Sequence, residues 1–211
     1  MYNLNSNQAK AADTTSNRIS ETGKYKGVFT RAEHIVSTRT GTQGIDFDFE
    51  SDAGQKARFS IYTLKSDGKQ IYGFKQLMAI MTCLQVKQLP DPVEVEGTVW
   101  NNETRKEEKR SLPQFPGLLN KPIGVLLTME EYQKSNSTDT AWRPALSFVF
   151  DAKTELVASE ILDRKTQPQQ LEKMIVSLRD KPLKKQSGHA SATHQPAGSV
   201  ADMDDDDSIP F

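Results

Sequence analysis

The side chains of this chain that are best suited to chemistry are aromatic rings beside arginine or lysine in polar surroundings. Trp142 and Arg143 are adjacent within a stretch of small polar residues. Tyr62 falls on the same face of an alternating segment as Arg58, and Trp100 precedes a basic turn. A ring that faces solvent can stack on a nucleic-acid base, and a neighbouring cation can pair with a phosphate. These pairs are therefore the candidate contacts if the chain binds single-stranded nucleic acid.

The candidate contact residues combine these rings with the basic side chains nearest to them in sequence. Trp142 and Arg143 are expected in the loop between the last two strands, where the alternative role of the tryptophan is to close one end of the fold. The basic turn at 101–110 has the alternative of a solvated charged hairpin. The remaining candidates are Tyr62, Arg58, Trp100, Arg105, Lys106, Lys109, Arg110, Tyr25 (flanked by Lys24 and Lys26), Arg31 and Arg39.

Carboxylates form the second group that could do chemistry. Asp46, Asp48 and Glu50 alternate along one predicted strand, and Glu94 and Glu96 along another. Such carboxylates could bind Mg²⁺, so a metal-dependent nuclease is an alternative function. No catalytic lysine motif accompanies them, and acidic alternation is typical of a strand that faces solvent. Because an acidic face repels phosphate, the sequence predicts that the nucleic-acid groove lies elsewhere.

Few other residues could hold a cofactor or a metal. The single cysteine, Cys83, excludes an internal disulfide and a multi-cysteine zinc site. The three histidines, His34, His189 and His194, are scattered and form neither a triad nor a ligand set. No glycine-rich phosphate loop is present. We therefore expect no cofactor, no metal and no enzymatic activity.

The last eleven residues combine five aspartates with an apolar tripeptide. Burying five neighbouring carboxylates without partners would cost several kcal/mol each, so the acidic run must be solvated. Apolar residues placed after it suit a pocket on another protein, which the aspartates would help to approach. The alternative is a disordered acidic solubility tail. The residues expected to recruit a partner are Asp204, Asp205, Asp206, Asp207, Ile209, Pro210 and Phe211.

This segment closely resembles the C-terminal tip of bacterial and phage single-stranded DNA-binding proteins, which end in an acidic run and Ile-Pro-Phe. The resemblance covers only 204–211, and residues 1–60 lack the usual N-terminal sequence of the bacterial family, so the chain looks like a divergent phage-type member. The resemblance implies a barrel of the oligonucleotide/oligosaccharide-binding (OB) type that holds single-stranded DNA. It also implies that the tip recruits replication, recombination and repair proteins, and that the tip competes with DNA for the groove.

The distribution of charge bears on how DNA would be held. The net charge of the whole chain is −1. Five aspartates lie in the tail, so residues 1–200 alone carry a net charge of +4. A body so weakly basic must rely on stacking as much as on phosphate contacts. No stretch reaches the ~18 apolar residues of a membrane span, and the N-terminus lacks a signal-peptide pattern. We expect no membrane contact and a cytoplasmic location in a bacterial or phage-infected cell.

Periodicity predicts a mainly β fold with helices. Alternating segments and one helical stripe follow the order of a five-stranded OB barrel, with the helix after the third strand. Residues 93–117 form an additional hairpin, and a second helix lies at 168–179. The rings of Phe47, Phe49, Phe148 and Phe150 are assigned to the core. The predicted strands are 24–36, 45–50, 56–64, 121–132 and 144–151, and the helix is 70–85.

Composition divides the chain into three parts. Residues 1–20 are expected to be a flexible arm, 21–180 an OB-fold DNA-binding domain with C-terminal helical additions, and 181–211 a disordered linker with the recruitment tail. Because one barrel offers few obvious contacts of its own, a homodimer is a further hypothesis. The nearly neutral body leaves one more alternative, a protein-interaction hub without DNA affinity.

Overall fold

The computed structural model describes residues 17–101, 106–134 and 137–183. Within these ranges, seven strands form one mainly antiparallel sheet that carries a few short helices, an α+β arrangement. The predicted order of three strands, a helix, a hairpin and two more strands is confirmed. The elements are β1 (Gly23–Val36), β2 (Gln43–Ser51), β3 (Lys56–Leu64), α1 (Tyr72–Cys83), β4 (Val93–Asn101), β5 (Lys106–Gln114), a 3₁₀ turn (Pro116–Leu118), β6 (Pro122–Gln133), β7 (Thr140–Phe150), α2 (Ala158–Leu162) and α3 (Leu171–Ser177).

Strand β1 is long enough to pair with more than one neighbour. Its first half pairs with β6 and its second half with β2, both antiparallel. Where the two ladders overlap, a Cβ on Gly27 would lie 2.0 Å from the carbonyl O of Glu50, so the close approach requires glycine. A register shift between Phe29 and Arg31 bends the strand just beyond this point. The bend lets one strand serve two parts of the sheet.

The sheet is open between β3 and β7. Strand β3 pairs with β2, and β7 pairs with β6, but no ladder joins β3 to β7 among the described residues. The two strands nevertheless pack against each other across this opening. The predicted α+β class is therefore confirmed, whereas a closed five-stranded barrel is not observed.

A cluster of aromatic rings fixes the position of β3. Phe47 and Phe59 are buried with their ring centroids 5.8 Å apart, and the ring of Phe29 lies 4.5 Å from that of Phe47. Leu77 and Ile80 of α1 belong to the same cluster. Full burial of each such side chain stabilises the fold by roughly 1.5–3 kcal/mol. Because β3 alternates strictly, burying this row of side chains turns the other row toward solvent.

Three of the four phenylalanines assigned to the core are indeed buried. Phe47, Phe49 and Phe150 are at most 1% exposed, but Phe148 is 36% exposed. The assignment of Phe148 to the core is therefore wrong. A register shift in the β6–β7 ladder next to Phe148 interrupts the alternation of β7, which the sequence pattern does not reveal.

The C-terminal helices are held by one buried carboxylate. Glu160 is almost fully buried, and its carboxylate accepts hydrogen bonds from the backbone N–H groups of Val157, Gln169 and Gln170 at 2.7–3.1 Å. Burial alone would raise the pKa of Glu160, but these backbone donors lower it below its ordinary value. The predicted helix at 168–179 is observed only over Leu171–Ser177, and the backbone N–H groups of Gln169 and Gln170 just before it donate to this carboxylate.

The hairpin formed by β4 and β5 extends from the body of the sheet. Its nine-residue strands pair in regular register, and Gln114 connects it to β1 through Glu33. The predicted hairpin excursion is confirmed. Residues 102–105, at its turn, lie outside the described ranges.

The ends of the described chain pack against the sheet. Ile19 is buried in the core, and its N–H donates to the Lys56 carbonyl O, so the folded part begins earlier than residue 21. Lys181 exchanges backbone hydrogen bonds with Met129 and Glu131 of β6, so the folded part also extends past residue 180. The described helices include none with the length and apolar character needed to cross a membrane.

Candidate nucleic-acid interface

A polar cleft occupies the opening between β3 and β7. Its volume is about 380 Å³. Each strand contributes to the cleft an arginine that the sequence analysis selected, Arg58 from β3 and Arg143 from β7. Its lining residues are Arg58, Phe59, Ser60, Tyr62, Glu130, Arg143, Pro144 and Ala145.

Tyr62 presents an exposed ring to this cleft. The ring is 44% exposed, and it lies over Gly44 of β2, where a Cβ would come within 3.1 Å of the ring. On the other side, a Cβ on Gly73 would lie 2.0 Å from the Tyr62 carbonyl O, so α1 begins directly against this residue. Two glycines thus fix Tyr62 while its ring stays available for stacking. The predicted wet face of β3 is confirmed.

Arg58 is held at the cleft by a buried aspartate. Its Nε donates to Asp46 Oδ2 at 2.8 Å, and Ser60 Oγ donates to Asp46 Oδ1 at 2.7 Å. Burial alone would raise the pKa of Asp46, but hydrogen bonds from Arg58, Ser60 and Arg31 lower it. Asp46 therefore stays ionised near neutral pH and orients Arg58, whose side chain is still more than half exposed.

Arg31 is not available to phosphate, contrary to the sequence prediction. It is buried, and it forms ion pairs with Glu33, Asp46 and Asp48. Burial alone would lower the pKa of Arg31, but hydrogen bonds from its guanidinium to Asp48 and Asp46 raise it. The residue is therefore a permanent internal cation that stabilises the carboxylates around it.

The acidic face and the arginine–tyrosine face of the β2–β3 pair are one face, so the candidate cleft lies on the side of the sheet that carries the acids and not on a separate face. In the β2–β3 ladder Asp46 lies opposite Ser60, and Asp48 lies opposite Arg58. Directly opposed residues project to the same side of a sheet. Arg31 and Arg58 form ion pairs with Asp46 and Asp48, which offsets the repulsion between these acids and phosphate. The described residues contain no group of three histidine, cysteine or acidic side chains that could hold a metal ion, as the nuclease alternative requires.

Strand β7 supplies the opposite wall of the cleft. Trp142 and Arg143 lie in this strand and not in a loop, because the β6–β7 ladder continues to the pair Gln133–Thr140. The prediction of a loop position is therefore wrong. The two residues point to opposite faces, and Arg143 lines the cleft. Trp142 is 45% exposed but is not a lining residue of the cleft.

Sequence reasoning missed Tyr132, a third exposed ring beside the cleft. Arg143 lies over it, with the guanidinium carbon 5.4 Å from the ring centroid. Arg143 Nη2 is also 3.9 Å from Glu130 Oε2, a distance that makes a weak ion pair. The signal was available in the sequence, because Tyr132 ends one predicted strand and Arg143 directly precedes the next.

Other candidates lie away from the cleft or outside the described residues. Tyr25 packs against the core, its Oη donates to the Glu21 carbonyl O, and burial raises its pKa. Its neighbours Lys24 and Lys26 both pair with Glu155. The remaining candidates comprise Arg39, exposed in the β1–β2 turn; Lys109 and Arg110, exposed on β5; Trp100 and Lys106, described only as positions in β4 and β5; and Arg105 and Asp204–Phe211, which lie outside the described residues.

The cleft and the carboxylate beneath it carry little net charge. Arg58 and Arg143 contribute two positive charges, while Glu130 lines the cleft and Asp46 lies beneath Arg58. Such a site can accept a phosphate or two, but most of its binding free energy must come from stacking on exposed rings. No protein-family model matches this sequence, and a search of curated proteins found none similar to it.

Proposed function

We propose that this protein binds single-stranded DNA in the cleft between β3 and β7, without catalysing a reaction and with little sequence preference. One observation carries the proposal: an exposed tyrosine and two arginines, supplied by strands far apart in sequence, line one polar cleft. Bases would stack on Tyr62, and Arg58 and Arg143 would pair with phosphates. The protein would protect single strands during replication, recombination or repair.

The arrangement of strands supports an OB-type architecture, which we propose as the finer description of the fold. Strand β1 pairs with both β2 and β6, a helix follows β3, and β7 approaches β3 across the cleft. The β4–β5 hairpin would then be an insertion between the helix and the fourth barrel strand. In OB folds the face of the second and third strands binds oligonucleotides, and Arg58 and Tyr62 lie on that face here.

The acidic tail supports the second half of the proposal. Asp204–Asp207 with Ile209–Phe211 would recruit other proteins of DNA metabolism by placing apolar side chains in a pocket of the partner. This role is suggested by the resemblance to the phage-type single-stranded DNA-binding proteins. Recruitment would not use the residues that line the cleft, so the two roles can be tested with separate variants.

The test is a titration of full-length protein with a short oligo-dT of about five nucleotides, a length suited to one subsite of an OB fold. Stacking contributes about 1–3 kcal/mol per base, so Tyr62→Ala should weaken binding roughly tenfold. Arg143→Gln should lower the affinity and reduce the slope of log K against log salt by about 0.7. Leu162→Ala and Arg164→Gln, which change exposed residues outside the cleft, serve as matched controls.

Three outcomes separate this proposal from its alternatives. Salt-sensitive binding that depends on Tyr62 supports it. Cleavage of the oligonucleotide in the presence of Mg²⁺ would favour a nuclease. No binding at any salt concentration would leave a protein-interaction hub.

A further inference from the structure

A second groove lies between α1, β7 and α3. It has two lobes of about 180 and 340 Å³ that share Tyr72, Leu146, Ser147 and Phe148. Tyr72 is 63% exposed and Phe148 is 36% exposed. Single exposed apolar residues are common, but two large rings that face solvent in the same groove form a contiguous apolar surface. Such a surface is typical of a binding site.

The charge of the groove favours an anion. Lys75, Arg179 and Lys181 line it, and no carboxylate is among its described lining residues. Arg179 Nη1 donates to two backbone carbonyls of its own segment, which orients the guanidinium without neutralising it. Lys75 forms no ion pair within the described part of the chain, and Lys181 pairs with Glu130 at 2.9 Å. Within the described ranges, Lys75 and Arg179 thus have no carboxylate partner, and they lie beside two rings.

The groove continues from the cleft along the same face of β6 and β7. Thr128 lines the groove and Glu130 lines the cleft, and residues two apart in a strand project to the same side. Thr128 Oγ1 lies 3.0 Å from Ser147 Oγ, which ties the two strands together where the groove begins. The ion pair between Lys181 and Glu130 spans the boundary between groove and cleft.

We propose that this groove is a second subsite for single-stranded nucleic acid, an inference that rests on the proposed function of the cleft. Bases stack on Tyr72 and Phe148, and phosphates pair with Lys75 and Arg179. A strand too long for the cleft passes Arg143 and enters the groove. An acidic peptide would match the charge equally well, but it would not require a groove continuous with the cleft.

The test compares two lengths of oligo-dT on full-length protein, about five and about fifteen nucleotides, the longer near the upper range of one OB fold. Lys75→Gln combined with Arg179→Gln should weaken binding of the long oligonucleotide about tenfold and reduce its salt slope by about 1.4, since two phosphate contacts are lost. Tyr72→Ala should weaken it roughly tenfold through lost stacking. Binding of the short oligonucleotide should not change. Lys173→Gln combined with Arg164→Gln removes the same charges from exposed positions outside the groove and is the control.

Several results would overturn the inference. One is that the groove variants bind the long oligonucleotide as tightly as the unchanged protein does. Another is that a synthetic peptide of residues 201–211 protects Tyr72 from solvent without displacing the long oligonucleotide, which would assign the groove to a protein ligand. If the unchanged protein binds neither oligonucleotide, the function proposed for the cleft fails first and this inference fails with it.

Discussion

At the scale of single residues, Asp46 determines how the cleft is charged. It accepts hydrogen bonds from Arg31 on one side and from Arg58 and Ser60 on the other. Without this carboxylate, Arg31 would be buried with fewer partners, and Arg58 would lose the contact that orients it. One buried acid therefore stabilises the sheet and arranges its exposed face.

We predict that Asp46→Asn lowers the free energy of unfolding by about 1–3 kcal/mol, because a buried guanidinium loses a charged acceptor. The pKa of Asp46 is lowered in the folded state. Its contribution is therefore complete above the unfolded value of about 4 and is lost as the pH falls through the lower folded value. Urea unfolding between neutral and acidic pH checks this. Asp46→Asn should reduce the loss of stability in acid, whereas Asp52→Asn, in the exposed β2–β3 turn, should leave it unchanged.

A second residue-scale prediction concerns the contact between α1 and β3. Gly73→Ala should destabilise the protein by about 1–3 kcal/mol, because the new Cβ would overlap the Tyr62 carbonyl O and no flexible side chain can give way. It should also weaken oligo-dT binding by displacing Tyr62. Gly117→Ala is the matched control, since its nearest contact would be at 3.8 Å. Equal thermal stability of the two variants would contradict this account.

At the scale of elements, the C-terminal helices depend on Glu160 more than on their own length. Helices of five and seven residues are too short to be stable alone, so their contacts must hold them. Phe150, Leu171 and Leu178 supply a small apolar cluster, and Glu160 supplies three backbone hydrogen bonds. We therefore expect a substitution of Glu160 to destabilise α2 and α3 together, as one unit.

We predict that Glu160→Gln destabilises this unit by about 1–3 kcal/mol, since an amide oxygen is a weaker acceptor and its NH₂ group would face backbone donors. In this variant, hydrogen exchange at the amides of Gln169 and Gln170 should be faster than in the unchanged protein, while exchange in the β1–β2 ladder should change less. Glu172→Gln, on the exposed surface of α3, should change neither. Uniform acceleration across the sheet would argue against a separate unit.

The elements show what periodicity can and cannot reveal. Strand β3 was predicted to its ends, because strict alternation marks a half-buried strand. The buried position of Arg31 was not predictable, since it depends on carboxylates of β2 that approach only in the sheet. The exposure of Phe148 depends on a register shift, and the extension of β7 through Trp142 is not marked in the sequence because its neighbours there are polar. The sequence analysis includes Tyr62, Arg58 and Arg143 of the cleft lining but not Tyr132, which lies beside the cleft under Arg143.

At the scale of the whole molecule, two regions of opposite charge share one chain. The tail holds five aspartates, and the rest of the chain carries a net +4. The anionic tail and anionic DNA would therefore compete for the same basic side chains, and salt would weaken both interactions.

We predict that deleting residues 202–211 raises oligo-dT affinity severalfold at low salt and leaves it unchanged at high salt. The same deletion should abolish recruitment of partner proteins. Changing the five aspartates to asparagine should reproduce the gain in affinity, whereas Phe211→Ala should impair recruitment alone. Binding curves at two salt concentrations and a partner pull-down measure the two effects separately. An affinity that the deletion does not alter at low salt would count against the competition.

The position of Lys181 has a consequence for any such competition. Backbone hydrogen bonds hold this residue on β6 beside Glu130, which lines the cleft. The described chain therefore ends beside the cleft, and an acidic tip joined to it by the linker that the sequence predicts would have an effective concentration there in the roughly millimolar range. Diluting the protein would not separate tail from cleft, so the balance between them would be set within each molecule and not by its abundance in the cell.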